Sequence, residues 1–524
     1  MQAAGDWTDA ARLLTDHAVS LTLDGQAGTV AALLHSFPGR DGEEFPGLAL
    51  VHAINDLDQL RLDQADARLQ VARSDAATAT PARRYRLQLA VASLDLLLER
   101  LRGDFGSLYE QVHSLASPAV GQPNADVALG GDLRALALMN LGVTEAWSLR
   151  LAESERHLLD GAAVAQSLGR PYLEVACLAH LGFASTAHSF ALARWRCEEA
   201  IALAARHGWD AEPVIAPALA TLAGTLIWTG EFDDGEQWLD RARRATHFGG
   251  EPGVRLLVRL ISALLAAARG YQQQALEEFA AAGRVQALMA SEHALTSQVT
   301  AWTMATQSRL GLIDQARAAL AALDARQAAV GEFRNAAAAI RLAEQDPGGA
   351  RRELQAVLNG AAPVNSHLTR IEAHLLDALA CRDLGDEPAA RAAVEQALNL
   401  AEPDRLVLPF AMTGALELLE ALPPHGMSHA ALVAGILDAV HGAAPTTPGR
   451  PVPGLAEELS PSELRVLRYL PTNLTRPEIA GELSVSLNTI STHIRRIYAK
   501  LGAADRSSAV QRGRELRLLS VGRT

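Results

Sequence analysis

Along the first 400 or so residues, a glycine is repeatedly followed five positions later by a small residue and then by an apolar helical pattern. The phrase reads Gly5-Asp6-Trp7 with Ala10, Gly270-Tyr271 with Ala275, Gly311-Leu312 with Ala316, and Gly385-Asp386 with Ala390; Gly230-Glu231-Phe232 with Gly235 is a looser copy. Gly230 and Gly270 are 40 residues apart, Gly270 and Gly311 are 41 apart, and such a period suits two helices and two loops. Glycine closes the first helix of each hairpin because it can take a positive φ. The aromatic or leucine that follows is expected to cover the turn. The small residue lets the next helix come close. One hairpin leaves an apolar face uncovered, so hairpins in series build a continuous core by stacking. The spacing blurs between Gly103 and Gly208.

Composition agrees with a helical array. Alanine and leucine dominate and aromatics are 4%, which favours helix over sheet. A chain of 524 residues exceeds a single hydrophobic core. The tryptophans Trp147, Trp195, Trp209, Trp228, Trp238 and Trp302 are expected to fill the core at hairpin junctions. Cys177, Cys197 and Cys381 are widely spaced; they make no secreted disulfide framework and read as small buried hydrophobes in a cytoplasmic protein. No signal peptide is apparent. The apolar run 256–268 carries Arg259 and is too short for a membrane span, so no membrane partner is expected.

Several catalytic classes lack their residues. The only lysine is Lys500, and a phosphate-binding GxxxxGK[ST] loop requires one. Neither an HExxH pair nor a GxSxG elbow occurs, and the body histidines, His17 and His35 among them, have no metal-ligand spacing. The chain reads as a non-enzyme with no cofactor and no metal.

Charge divides the chain. Residues 455–524 hold eleven Arg or Lys against seven Asp or Glu, a net of +4; the whole chain is −13, which leaves about −17 for the rest. A basic end on an acidic body can present one face to phosphates. Between them, residues 442–454 contain four prolines and three glycines, the composition of an extended linker that lets the last domain reorient. The boundaries read as a repeat domain over 1–440, a linker over 441–456 and a DNA-binding domain over 457–524.

The tail can be followed residue by residue. Ser460 caps a helix with Pro461 at its first position and Glu463 completing a capping box. Leu464, Val466, Leu467 and Leu470 form its apolar face. Thr475 caps a short second helix with Glu478 three residues on, and Ile479, Ala480 and Leu483 point inward. Ser484 and Val485 turn the chain. Ser486 caps a third helix to about Leu501, in which Ile490, Ile494, Ile497 and Leu501 recur at spacings of four, three and four as one buried stripe. The opposite side presents Asn488, Ser491, Thr492, Arg495 and Ala499. Small polar groups permit approach to a major groove, and Asn488, Ser491, Thr492 and Arg495 are the base-contacting candidates. Thr489, His493, Arg496 and Lys500 flank them as phosphate-contacting candidates, joined by the helix starts at Thr475 and Ser486. Gly502 ends this helix and a fourth runs from about Ser507 to Leu518.

Residues 459–519 resemble the C-terminal helix-turn-helix of the LuxR family of bacterial transcription regulators. The matching phrases are Leu459-Ser460-Pro461 with Glu463, Val466-Leu467, Glu478-Ile479-Ala480, Leu483, Ser486, Thr489-Ile490, His493, Ile497-Tyr498, Lys500-Leu501-Gly502, Arg506 and Ala509-Val510. The resemblance implies that the helix from Ser486 is the recognition helix, that the domain pairs as a homodimer on DNA, and that Ala509, Val510 and Gly513 on the fourth helix contribute to pairing. Ser491 stands where the family usually has lysine, and Asn473 where it usually has glycine. The body is similar to the repeat region of the MalT-like branch, through Gly5-Asp6-Trp7 with Ala10-Ala11 and Leu400-Ala401-Glu402-Pro403 with Pro409-Phe410. Typical members place an ATPase before the repeats. This chain starts in a repeat, so it reads either as a shortened regulator lacking the ATPase or as part of a longer gene.

The expected fold is all-α: a TPR-like helical-hairpin superhelix followed by a small four-helix LuxR-type helix-turn-helix domain. The expected function is a DNA-binding transcriptional regulator whose body senses a protein or small-molecule effector and controls promoter binding. Double-stranded promoter DNA is the main expected partner, and RNA polymerase is a further candidate. The competing reading is a helical-repeat interaction scaffold with weak or no DNA binding.

Overall fold

A computed structural model describes residues 6–38, 45, 47–104, 127–246, 251–421, 429–443, 459, 461–471, 474–483 and 487–515. Gly5, Ser460, Asn473, Ser484, Val485, Ser486, most of the linker, Leu518 and the side chains of Leu464 and Asn488 lie outside the described residues. The described chain is all-α, with no strand among those residues. It is a long run of helix hairpins followed by a short helix-turn-helix region.

Successive hairpins comprise Val127–Ala146 with Leu151–Ser167, Pro171–Ser185 with Phe190–Arg206, Ala216–Trp228 with Phe232–Thr246, and Pro252–Ala268 with Gln272–Gln286. They continue with Thr296–Arg309 and Ile313–Ala321, Gly331–Ala343 and Pro347–Leu358, and Leu368–Asp383 and Glu387–Ala401. The chain forms two compact units: residues 1–225 with 233–263 and 277–300, and residues 226–232 and 264–276 with 301–524. In the first, Val127–Ala146 packs on Leu151–Ser167 and on Pro171–Ser185. In the second, Gly331–Ala343 packs on both Pro347–Leu358 and Leu368–Asp383. A first helix thus meets its own partner and the first helix of the next hairpin, the contact pattern that lets hairpins share a core.

The turn chemistry follows from the glycines. Gly270 and Gly311 have φ of +81° and +76°, and a Cβ at either would meet nothing within 4 Å. Their requirement is therefore purely one of backbone geometry. The small residues five positions on, Ala275, Ala316, Ala390 and Gly235, are buried. The blurred region has a physical cause. Leu149 (φ 61°) occupies the left-handed position in its hairpin, as Leu60 (φ 55°) and Gln345 (φ 61°) do in theirs. The hairpin at Ser185 turns without such a residue and starts its second helix from the Ser189 side chain, which accepts from the N–H groups of Ala191 and Leu192. A search for glycine passes over all of these.

The cover expected over each turn is uneven: Phe232 is buried but Tyr271 is exposed. Trp147, Trp228 and Trp302 are core residues. Trp195 corrects the expectation for tryptophan, being 51% exposed beneath the Arg196 guanidinium, 4.5 Å from its ring centre. Trp238 is half-buried and carries Arg241 in the same way, at 4.4 Å. An arginine over the indole face is an alternative to burial. All three cysteines are free and buried. No helix among the described residues is long and apolar enough to cross a membrane.

Candidate nucleic-acid interface

The tail consists of helices Pro461–Tyr469, Arg476–Glu482, Leu487–Leu501 and Arg506–Glu515. Its core is one cluster: Leu459, Val466, Leu467, Tyr469 and Leu470 from the first helix region, Ile479 and Ala480 from the second, Ile490, Ile494, Ile497 and Leu501 from the third, and Ala509 from the fourth. The four-three-four stripe is therefore the face on which the third helix is seated, as its spacing requires.

Local chemistry fixes the second and fourth helices. Thr475 donates its backbone N–H and its hydroxyl to the Glu478 carboxylate, both at 2.7 Å; the hydroxyl and backbone hydrogen bonds hold that carboxyl below its ordinary range. The box expected at Thr475 is present. Asp505 accepts from the Ser508 N–H at 2.7 Å at the start of the fourth helix. Arg506 clamps the module. Its guanidinium donates to the carbonyls of Leu470 and Leu474 at 2.7 Å and of Tyr469 at 3.1 Å. The carbonyls that end the first helix thus find partners on the fourth, so the loop before the second helix is held by side-chain hydrogen bonds.

The outward face is open where it matters most. Arg495, Arg496 and Ala499 are exposed, and neither arginine has an ion-pair partner among the described residues. Thr489, Ser491, Thr492 and His493 are half-buried along the same helix. Ser491 donates its hydroxyl to the Leu487 carbonyl at 2.9 Å. The His493 Nδ1 is buried without a hydrogen-bond partner among the described residues. Lys500 sits differently from the two arginines. Its ammonium is 2.9 Å from the Glu463 carboxylate, with the side chains 15% and 3% exposed, so it already serves the interior of the domain. Ala509 and Gly513 are buried within the domain and Val510 is half-buried against its core.

Two contacts with the preceding helices have no sequence signal. Ala434, from helix Ala430–Ala443, packs against the tail core. Arg405 reaches Glu482 at the end of the second tail helix, at 3.0 Å. Both leave Arg495 and Arg496 exposed. The Arg506 clamp and the Lys500–Glu463 pair were equally silent, since each joins residues more than 30 positions apart. Among the described residues no group of three His, Cys, Asp or Glu is placed to hold a metal ion.

Residues 457–512 match the family described as bacterial regulatory proteins, luxR family. Over 58 residues the chain is 45% identical to the HTH-type transcriptional regulator MalT of Serratia proteamaculans (strain 568), a stretch covering 11% of this chain and 6% of that protein. Among solved structures, the Rap protein complexed with competence and sporulation factor aligns at a TM-score of 0.48 and 12% identity, covering 68% of this chain and 97% of that one. The apo quorum sensor NprR from B. thuringiensis aligns at 0.43 and 13%, covering 67% and 97%. The geometry and the family match together identify residues 457–512 as a LuxR-family helix-turn-helix domain, carried at the end of a run of helical hairpins.

Proposed function

We propose that this protein is a transcription regulator that binds promoter DNA through the helix Leu487–Leu501 and receives an effector on its repeat body. The reading is supported above all by one observation: the third tail helix buries its isoleucine stripe while Arg495 and Arg496 stay exposed. Arg495, with Asn488, Ser491 and Thr492, is assigned to base edges. Arg496, Thr489 and His493 are assigned to phosphates, with the helix starts at Ser486 and Thr475 adding backbone N–H donors. For Thr475 both the hydroxyl and the backbone N–H are committed to Glu478, so that helix start serves the role through the Arg476 N–H that follows. Lys500 contributes charge near the groove from within its ion pair.

Two modules on one duplex read the halves of a two-fold site, and the linkage multiplies modest single-domain affinity. Val510 is the partly accessible member of the proposed pairing surface, with Ala509 and Gly513 supporting it from inside. The division into a repeat body over 1–440, a linker over 441–456 and a DNA-binding domain over 457–524 belongs to the same proposal, as do a cytoplasmic location and contact with RNA polymerase. The test is binding of the full chain to genomic duplex fragments with random-sequence duplex as competitor. The proposal requires fragments that survive competition. Equal displacement from every fragment leaves the scaffold reading in its place, which the internal pairing of Lys500 favours.

A further inference from the structure

The first helices of three successive hairpins, Thr296–Arg309, Gly331–Ala343 and Leu368–Asp383, bring two carboxylates into one buried network. Glu372 accepts from the Trp302 indole N–H at 2.8 Å. Glu332 accepts through one oxygen from the Thr369 hydroxyl at 2.7 Å and the Asn365 N–H at 2.9 Å. Asn335 donates to the Thr369 carbonyl at 2.8 Å and hydrogen-bonds Glu372 as well. Glu332 and Asn335 are each 4% exposed and Glu372 is 8% exposed.

The network is short of donors and of positive charge. The second oxygen of Glu332 and the amide oxygen of Asn335 are buried without a hydrogen-bond partner among the described residues. The two carboxylates repel each other, and Arg309 is the cation that acts on Glu372. Arg309 is open to solvent, although the protein packed around it pushes its guanidinium down to about 10, so it stays charged at neutral pH. It donates to the Thr306 hydroxyl at 3.2 Å. One guanidinium offsets one of the two carboxylates; near neutral pH the charge of the other is relieved only in part, by the proton that burial favours on Glu372, and a bound cation takes that proton's place. A buried carboxylate left without a counter-charge is costly, and so is each acceptor left without a donor.

We propose that Glu332, Asn335 and Glu372 bind a basic group, a primary ammonium or a guanidinium, carried by the effector. Such a group brings one positive charge and two or more N–H donors, which is what the two open acceptors and the uncompensated carboxylate lack. The inference rests on the reading that the body receives an effector, and it assigns the site and its chemistry.

Calorimetric titration of the full chain with putrescine, agmatine or Nα-acetyl-lysine amide tests it. Magnesium chloride at matched ionic strength serves as control. The diamine and agmatine represent free small amines; the blocked lysine represents a basic side chain on a peptide. The expected result is saturable binding of at least one probe, weakened about tenfold or more in both Glu332→Gln and Glu372→Gln, and unchanged in Glu417→Gln on the exposed surface. Three results overturn the site: no saturable heat with any probe up to about 10 mM, equal binding in the two carboxamide variants, or magnesium alone giving the same isotherm. If a carboxamide variant fails to fold, absence of saturable heat with the wild-type chain still overturns the site. Duplex binding measured on the same preparation reports separately on the transcriptional reading, so either can fail while the other stands.

Discussion

The tail and the repeat body solve the same packing problem with different margins. In the tail, one small cluster, with Ile490, Ile494 and Ile497 among its members, joins all four helices. In the body, the core is spread over many hairpins and built largely of alanine: the cluster around Leu354 and Val357 includes Ala338, Ala350, Ala373 and Ala380. A small domain sits close to its stability limit, whereas a repeat array distributes stability over neighbours. A single change should therefore be a switch in one region and a dent in the other.

The sharpest way to break that contrast is a matched pair of core truncations. Ile497→Ala should cost about 3 kcal/mol, enough to leave residues 461–515 largely unfolded. Leu354→Ala should cost a similar amount locally while the other hairpins hold. Hydrogen exchange read segment by segment checks both; exchange spreading through the body in the second variant contradicts the distributed core.

Next in size is a pH effect confined to the body. Burial first, and then the charge of Glu332, push Glu372 up to about 7 from its ordinary 4.5, against the hydrogen bonds of Trp302 and Asn335 and the charge of Arg309. Between those two pH values the folded chain holds a proton that the unfolded chain has released. Stability then falls as pH rises through the window, by about 3 kcal/mol at most. Urea midpoints at about pH 5 and about pH 8 should show that fall, and Glu372→Gln should flatten it. The tail transition should not share this slope.

The ion pair Lys500–Glu463 gives a third comparison. Lys500→Met removes the ammonium paired with a buried carboxylate and should destabilise the tail by about 2–3 kcal/mol, and replacing Glu463 by Leu in the same chain should restore most of the loss. Equal stability in the single and double variants would mean that the pair is solvated. The smallest effects lie in the hairpin turns and carry opposite signs. Gly311→Ala should cost about 1 kcal/mol, and Gln345→Gly should stabilise by up to about 1 kcal/mol by relieving the left-handed strain of a side-chain-bearing residue. Thermal melts of the two variants check the sign.

What the sequence disclosed follows the same divide. The isoleucine stripe and the Thr475–Glu478 box were legible because their partners lie within one or two helical turns. The hairpins at Gly230, Gly270, Gly311 and Gly385 were legible because glycine advertises a positive φ. Those at Leu60, Leu149 and Gln345 were not, since the surrounding helices impose the same conformation on residues that do not announce it. Arg506, Lys500 and Arg405 have partners distant in the chain, so their clamp and ion pairs emerge only from the folded arrangement. Trp195 escaped the expectation of burial because Arg196 covers its face from the next position along the chain.

The most direct test of the DNA-facing helix is the salt dependence of duplex affinity for the full chain and for Arg495→Ala/Arg496→Ala. Each lost phosphate contact lowers the log–log slope by about 0.9. The expected result is a weaker complex whose slope falls by about 1, the one phosphate contact assigned to Arg496, with the fold intact by circular dichroism. An unchanged affinity and an unchanged slope would contradict the assignment of that face to DNA.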